Sequence, residues 1–122
     1  MNTNEVAQKL VELCRKGQYT EAQAELYSPD IVSIEPAGSP MERAEGMEAI
    51  KAKAQQWENM VEEVHSNEIS EPVVAENFFS FAMKSVVTFK GMRKQTIEEI
   101  CVYEVKDGKV VKEQFFFTPA PM

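Results

Sequence analysis

The chain has 122 residues, of which 43% are hydrophobic, 27% charged and 9% aromatic, a composition that suits one soluble domain over residues 1–122 and excludes a disordered or fibrous chain. Lys and Arg number 13 against 20 Asp and Glu, a formal charge of −7, which argues against nucleic acid or an anionic membrane surface as partner. No apolar run approaches the roughly 18 residues needed to span a bilayer, and the polar opening Met1-Asn2-Thr3-Asn4-Glu5 lacks the apolar centre of a secretion signal, so a cytoplasmic location is expected.

Val6, Leu10, Leu13 and Cys14 form one apolar stripe at helical spacing, and Asn2 with Glu5 makes a capping box. Gly17 closes this first helix. Thr20 with Gln23 is read as the cap of a second, short helix that buries Ala22 and Leu26 and ends near Tyr27, before Pro29. Residues 31–35 suit a strand, which Pro36 and the following Ala37-Gly38-Ser39-Pro40 break into a loop. A third helix is predicted from about Glu45, with Met47, Ile50, Ala54, Trp57 and Val61 on its apolar side and Lys51, Lys53, Gln55, Glu58 and Glu62 facing elsewhere.

Four strands near 61–70, 78–90, 93–106 and 109–117 follow, divided by Glu71-Pro72, Gly91-Met92 and Asp107-Gly108. Helices in the first half and hairpins in the second predict an α+β fold with a curved antiparallel sheet. Two-residue turns at both later hairpins would set Phe79, Phe81, Met83, Val87, Thr96, Glu98, Ile100, Val102, Glu113, Phe115 and Phe117 on one face, assigned to the helices and a cavity. Glu98 and Glu113 are then carboxyls in an apolar wall, candidates for orienting a ligand or moving a proton, or else rim or ion-paired groups. A single bulge would bring Glu99, Cys101 and Gln114 inward instead. The other face, with Val86, Ile97, Cys101, Tyr103, Val110 and Phe116, predicts a homodimer through the outer side of the sheet.

Cys14 and Cys101 are too far apart in sequence for a CxxC or metal-ligand spacing and are read as reduced, buried thiols. The single histidine, His65, is read as a surface or hydrogen-bonded group. No phosphate-binding, dinucleotide-binding or EF-hand motif is present, so neither metal nor cofactor is expected.

The stretches Leu26-Tyr27-Ser28-Pro29-Asp30-Ile31-Val32-Ser33-Ile34-Glu35-Pro36, Gly46-Met47-Glu48-Ala49-Ile50 and Tyr103-Glu104-Val105-Lys106-Asp107-Gly108-Lys109-Val110-Val111, in this order, resemble the nuclear transport factor 2-like superfamily, and within it the SnoaL-like proteins, over residues 4–118. The resemblance implies a cone-like half-barrel enclosing a pocket, commonly dimeric, on a fold that hosts isomerases, cyclases, dehydratases, hydrolases and binding proteins. Glu35 before Pro36 is similar in position to the catalytic base of ketosteroid isomerase. The donors of that enzyme have no match, since Leu10 and either Ile100 or Cys101 stand at their places, which argues against steroid isomerisation.

Three functions follow as expectations. The first is a cofactor-independent proton-transfer enzyme on a small apolar carbonyl compound, with Glu35 as base, Glu113 and Glu98 as second carboxyl or orienting group. Its pocket would be walled by Trp57, Phe79, Phe81, Met83, Ile100, Val102, Phe115 and Phe117, with Tyr27 presenting its hydroxyl. The second is a module that binds an apolar ligand unchanged, and the third a dimeric interaction protein whose phenylalanines fill its own pocket.

Overall fold

The computed structural model describes residues 1–39 and 41–118, so Pro40 of the predicted loop and the last four residues of the predicted domain lie outside the described residues. Three helices, α1 (Thr3–Arg15), α2 (Tyr19–Leu26) and α3 (Met47–Met60), accompany seven strands. These are β1 (Tyr27–Ile34), β2 (Arg43–Glu45), β3 (Val61–Ile69), β4 (Val73–Ala75), β5 (Phe78–Phe89), β6 (Lys94–Lys106) and β7 (Lys109–Phe116). One sheet runs β2-β1-β7-β6-β5-β3, with β4 beside β5. Among the described residues only β1 and β7 pair in parallel; the other pairs are antiparallel.

The capping box forms as read: Asn2 Oδ1 accepts from the Glu5 amide at 2.8 Å and Glu5 Oε1 from the Asn2 amide at 2.9 Å. Of the predicted stripe, Val6, Leu10 and Cys14 are buried and Leu13 is half-buried, while Ala7 and Val11 complete the buried side, and Gly17 leaves the helix at φ 74°. The second helix departs from the reading, because Gln18 rather than Thr20 precedes it and supplies no side-chain cap. The strand after it begins at Tyr27, not at residue 31, with Pro29 exposed inside it. A further strand, β2, fills part of the predicted loop, and Gly46 at φ 85° delays α3 to Met47.

The register of β6 is the main correction. Thr88 pairs with Lys94, so the β5–β6 turn holds one residue more than a two-residue hairpin, with Gly91 at φ 76° inside it. That single residue turns β6 over: Glu99, Cys101 and Tyr103 face the helices, while Glu98, Ile100 and Val102 face outward. The Asp107-Gly108 turn pairs Lys106 with Lys109 as expected, but the register then shifts from Val105↔Val110 to Glu104↔Lys112. This second offset reverses the first, so Glu113 and Phe115 do face inward and Gln114 does not.

α1 packs over β3, β4 and β5, and α3 over β1, β2 and β3. Between them Tyr103 stacks on Phe79 and Phe81, with centroids at 4.8 and 5.3 Å, and meets Phe115 edge-on at 6.5 Å. Of the expected outer patch, Cys101, Tyr103 and Val110 are buried in the core and Ile97 shares the inner face. The outer side instead exposes Phe78, Ile100 and Phe116, in line with Val86 and Val102. Trp57, expected in the core or a pocket wall, is 42% exposed and meets Phe89 edge-on at the end of α3.

Candidate active site on the inner face of the sheet

Strand pairing arranges the inner face in rows. Asn67, Ser85 and Ile97 form the first, Ile69, Met83 and Glu99 the second, and Phe81, Cys101 and Phe115 the third. Phe79, Tyr103, Glu113 and Ser33 form the fourth. Successive rows are about 7 Å apart along the strands. The polar members of these rows fall into separate groups: Asn67 with Ser85, Glu99 with Cys101, and Ser33 with Lys53 from α3 and Glu35 after β1, beside Glu113.

Glu113 is only 3% exposed. Its Oε2 accepts a hydrogen bond from the buried Tyr27 hydroxyl at 2.7 Å. Burial pushes the Glu113 carboxyl up, against the opposing effects of the Tyr27 hydrogen bond, the Lys53 charge and the Ser33 hydroxyl. The Lys53 ammonium donates to Ser33 Oγ at 2.8 Å, pairs with Glu35 Oε1 at 3.2 Å and lies 4.9 Å from the centre of the Phe115 ring. Both Lys53 and Glu35 side chains are 20% exposed, so this ion pair is largely withdrawn from solvent screening.

Glu99 stands two rows from Glu113 on the neighbouring strand. Burial pushes its carboxyl up to about 7, and the negative charge of Glu35 adds to the rise, while the Cys101 thiol and Lys53 oppose it. The Cys101 Sγ lies 3.8 Å from Glu99 Oε1. The Cys101 and Cys14 thiols are both pushed up, chiefly by burial, so they stay protonated and inert as nucleophiles.

At the first row, Asn67 ties α1 and α2 to the sheet. Its Nδ2 donates to the Cys14 carbonyl at 3.3 Å and to the Tyr19 hydroxyl, and its Oδ1 accepts from Ser85 Oγ at 2.9 Å.

Among the predicted site residues, Glu35, Tyr27, Glu113 and Phe115 meet around Lys53 and Ser33. Phe79 and Phe81 pack in the aromatic stack, and Met83 is half-buried beside Glu99. Phe117 follows β7 and is half-buried. Glu98, Ile100 and Val102 belong to the outer side and Trp57 to the end of α3, apart from this cluster. His65 bridges Glu63 at 2.8 Å and Thr88 at 2.7 Å on the edge of the sheet.

Lys53 and Ser33 escaped the sequence reading, although signals existed. Lys53 is three residues after the buried Ile50, hence on the same helix side, and Ser33 shares the strand parity of Ile31. Among the described residues, no three His, Cys, Asp or Glu side chains are grouped to hold a metal ion. Nor is any helix of the described residues long and apolar enough to cross a membrane.

No curated protein matches the sequence. Among solved structures, a proposed SnoaL-like polyketide cyclase, also described as a carbohydrate phosphatase, from Mesorhizobium loti is 32% identical, with 96% of this chain and 100% of that chain covered and a TM-score of 0.91. An NTF2-like protein of unknown function from Burkholderia pseudomallei is 19% identical over 97% of this chain and 92% of that one, with a TM-score of 0.80. TerC co-crystallised with polyporic acid shares 15% identity over 96% and 92% of the two chains, with a TM-score of 0.78. The family model for SnoaL-like domains matches residues 1–117, and the chain belongs to that family.

Proposed function

We propose that this protein is a cofactor-independent proton-transfer enzyme acting on a small, largely apolar carbonyl compound at the inner face of its sheet. The observation that carries this reading is the placement of Glu99 on a sheltered wall, with the Lys53 ammonium held over the adjoining rows by Ser33, Glu35 and Phe115. A carboxyl titrating near 7 is matched to accepting and returning a proton at neutral pH. Glu99 would take the proton from the carbon beside the carbonyl, the electron pair would move onto the carbonyl oxygen, and Lys53 would stabilise the resulting enolate. Protonated Glu99 would then return the proton to the product.

Glu35, first read as the base, serves better as the counter-ion that orients Lys53 at 3.2 Å. Glu113, locked by Tyr27 and Ser33, is a buried support for the same lysine rather than a group that meets ligand. The cyclase description of the Mesorhizobium loti protein and the polyporic acid held by TerC support a carbonyl-rich, ring-forming or aromatic ligand class. The test is hydrogen–deuterium exchange beside the carbonyl of 2-tetralone in D2O, followed by NMR. Wild type should accelerate exchange and Glu99→Gln should not; equal rates for both would sink the assignment.

The outer side of the sheet supports a second element of the proposal, a homodimer. A shallow hollow of about 510 Å³ is lined mainly by outer residues such as Ala82, Ile100, Phe116 and Glu98, with Met83 and Glu99 of the inner rows also reaching its lining. Its apolar centre and charged rim suit a self-complementary contact. The two free thiols suit a reducing compartment such as the cytoplasm.

A further inference from the structure

We infer that Tyr19 is a hydrogen-bond donor to the ligand's oxygen, on the opposite side of Glu99 from Lys53. This deepens the proposed proton-transfer reading and rests on it.

The partners of Asn67 fix the orientation of its amide. A carbonyl oxygen can only accept, so the contact with the Cys14 carbonyl at 3.3 Å requires the amide nitrogen of Asn67 on that side. The amide oxygen is then the acceptor for Ser85 Oγ at 2.9 Å, and the same nitrogen donates to the Tyr19 hydroxyl. Tyr19 is therefore an acceptor toward Asn67, and its own proton points elsewhere. Among the described residues no acceptor takes that proton. A phenol polarised from behind by an amide, with its proton uncommitted, is prepared to donate to a ligand.

Strand register gives the direction. Asn67 and Ser85 occupy the first inner row, Glu99 the second, and Phe115 beneath Lys53 the third. Tyr19 and Lys53 thus flank the base from its two sides. The Tyr19 hydroxyl keeps its proton at neutral pH: burial, the Cys14 group and the Glu99 charge push it up to about 12, against the Asn67 hydrogen bond. A carbonyl oxygen that gains charge as Glu99 removes the neighbouring proton would meet this donor, which strengthens as the charge develops.

The experiment uses 4-nitrophenol, whose phenolate oxygen imitates the enolate, with wild type, Tyr19→Phe, Asn67→Leu and Glu99→Gln. Tyr19→Phe removes one hydroxyl from a side chain 40% exposed, and its circular dichroism should match wild type. Binding should weaken about tenfold in Tyr19→Phe and less in Asn67→Leu. The long-wavelength band of the bound phenolate should move to longer wavelength in both variants as the donor is lost or weakened, a signature that a merely structural residue would not produce. Equal affinity and an unmoved band in Tyr19→Phe, with 4-nitrophenol still bound by wild type and 2-tetralone exchange still dependent on Glu99, would overturn this inference and leave the proton-transfer reading standing. No binding by wild type together with no exchange would overturn both.

Discussion

Ser33 stands directly opposite Glu113 across the parallel pairing of β1 and β7, and its hydroxyl holds the ammonium of Lys53 at 2.8 Å beside the buried carboxyl. The arrangement explains why a carboxyl with 3% exposure is tolerated in an otherwise aromatic wall. Tyr27, Ser33 and Lys53 offset part of the desolvation that a lone carboxyl would suffer, and burial still raises its proton affinity above the ordinary value.

Tyr27→Phe removes the 2.7 Å hydrogen bond to Glu113 without changing the ring that packs in the core. One acceptor is left unsatisfied in a dry environment, so stability should fall by about 1–3 kcal/mol. Urea denaturation should show a lower midpoint with an unchanged slope.

Lys53 and Glu35 act on Glu99 in opposite senses, the first lowering and the second raising its proton affinity. Lys53→Met should therefore move the pH limb of 2-tetralone exchange upward and reduce its plateau through loss of the enolate's partner. Glu35→Gln should move the limb downward. An unmoved limb in both variants would show that neither charge reaches Glu99.

Stability should carry the same signature. Glu99 holds its proton to about 7 in the fold and, at its ordinary value of 4.5, releases it earlier in the unfolded chain. Between those values the native state binds more protons, so this contribution is fully present below about 4.5 and is lost as pH rises through about 7, by on the order of 3 kcal/mol. Glu99→Gln, neutral throughout, should flatten that decline and exceed wild type in stability above pH 7. Paired urea titrations from pH 4.5 to 8 measure the difference directly.

The three helices and the four long strands after them were legible because they rest on local patterns such as the Asn2–Glu5 box and the Asp107-Gly108 turn, whereas the three-residue strands β2 and β4 are too short to leave one. The inner face of β6 was not, since parity along a strand depends on one residue in the turn before it. The turn around Gly91 holds that extra residue, and no residue type in Lys90-Gly91-Met92 demands it. Glu113 came out facing inward only because the bulge near Val105 reverses the displacement. Lys53 was misplaced for a different reason: a long charged side chain on a helix is ordinarily solvated, and its burial here follows from Ser33, Glu35 and Phe115, which come from elements distant in sequence.

The homodimer proposal predicts that a charge at the outer apolar row is disruptive while the fold is kept. Ile100 and Phe116 face each other across β6 and β7 with 47% and 50% of their surfaces exposed. Ile100→Glu should convert a dimer to a monomer in light scattering after size exclusion, with circular dichroism unchanged. A wild-type monomer at micromolar concentration would refute the interface.

The most direct measurement of the central claim is the pH dependence of 2-tetralone exchange in D2O from pH 5 to 9, for wild type and Glu99→Gln. The wild-type rate should rise through a single limb near 7 and then level, a limb that Glu99→Gln lacks. A wild-type profile that coincides with that of Glu99→Gln, or with buffer alone, at every pH would contradict proton transfer by Glu99.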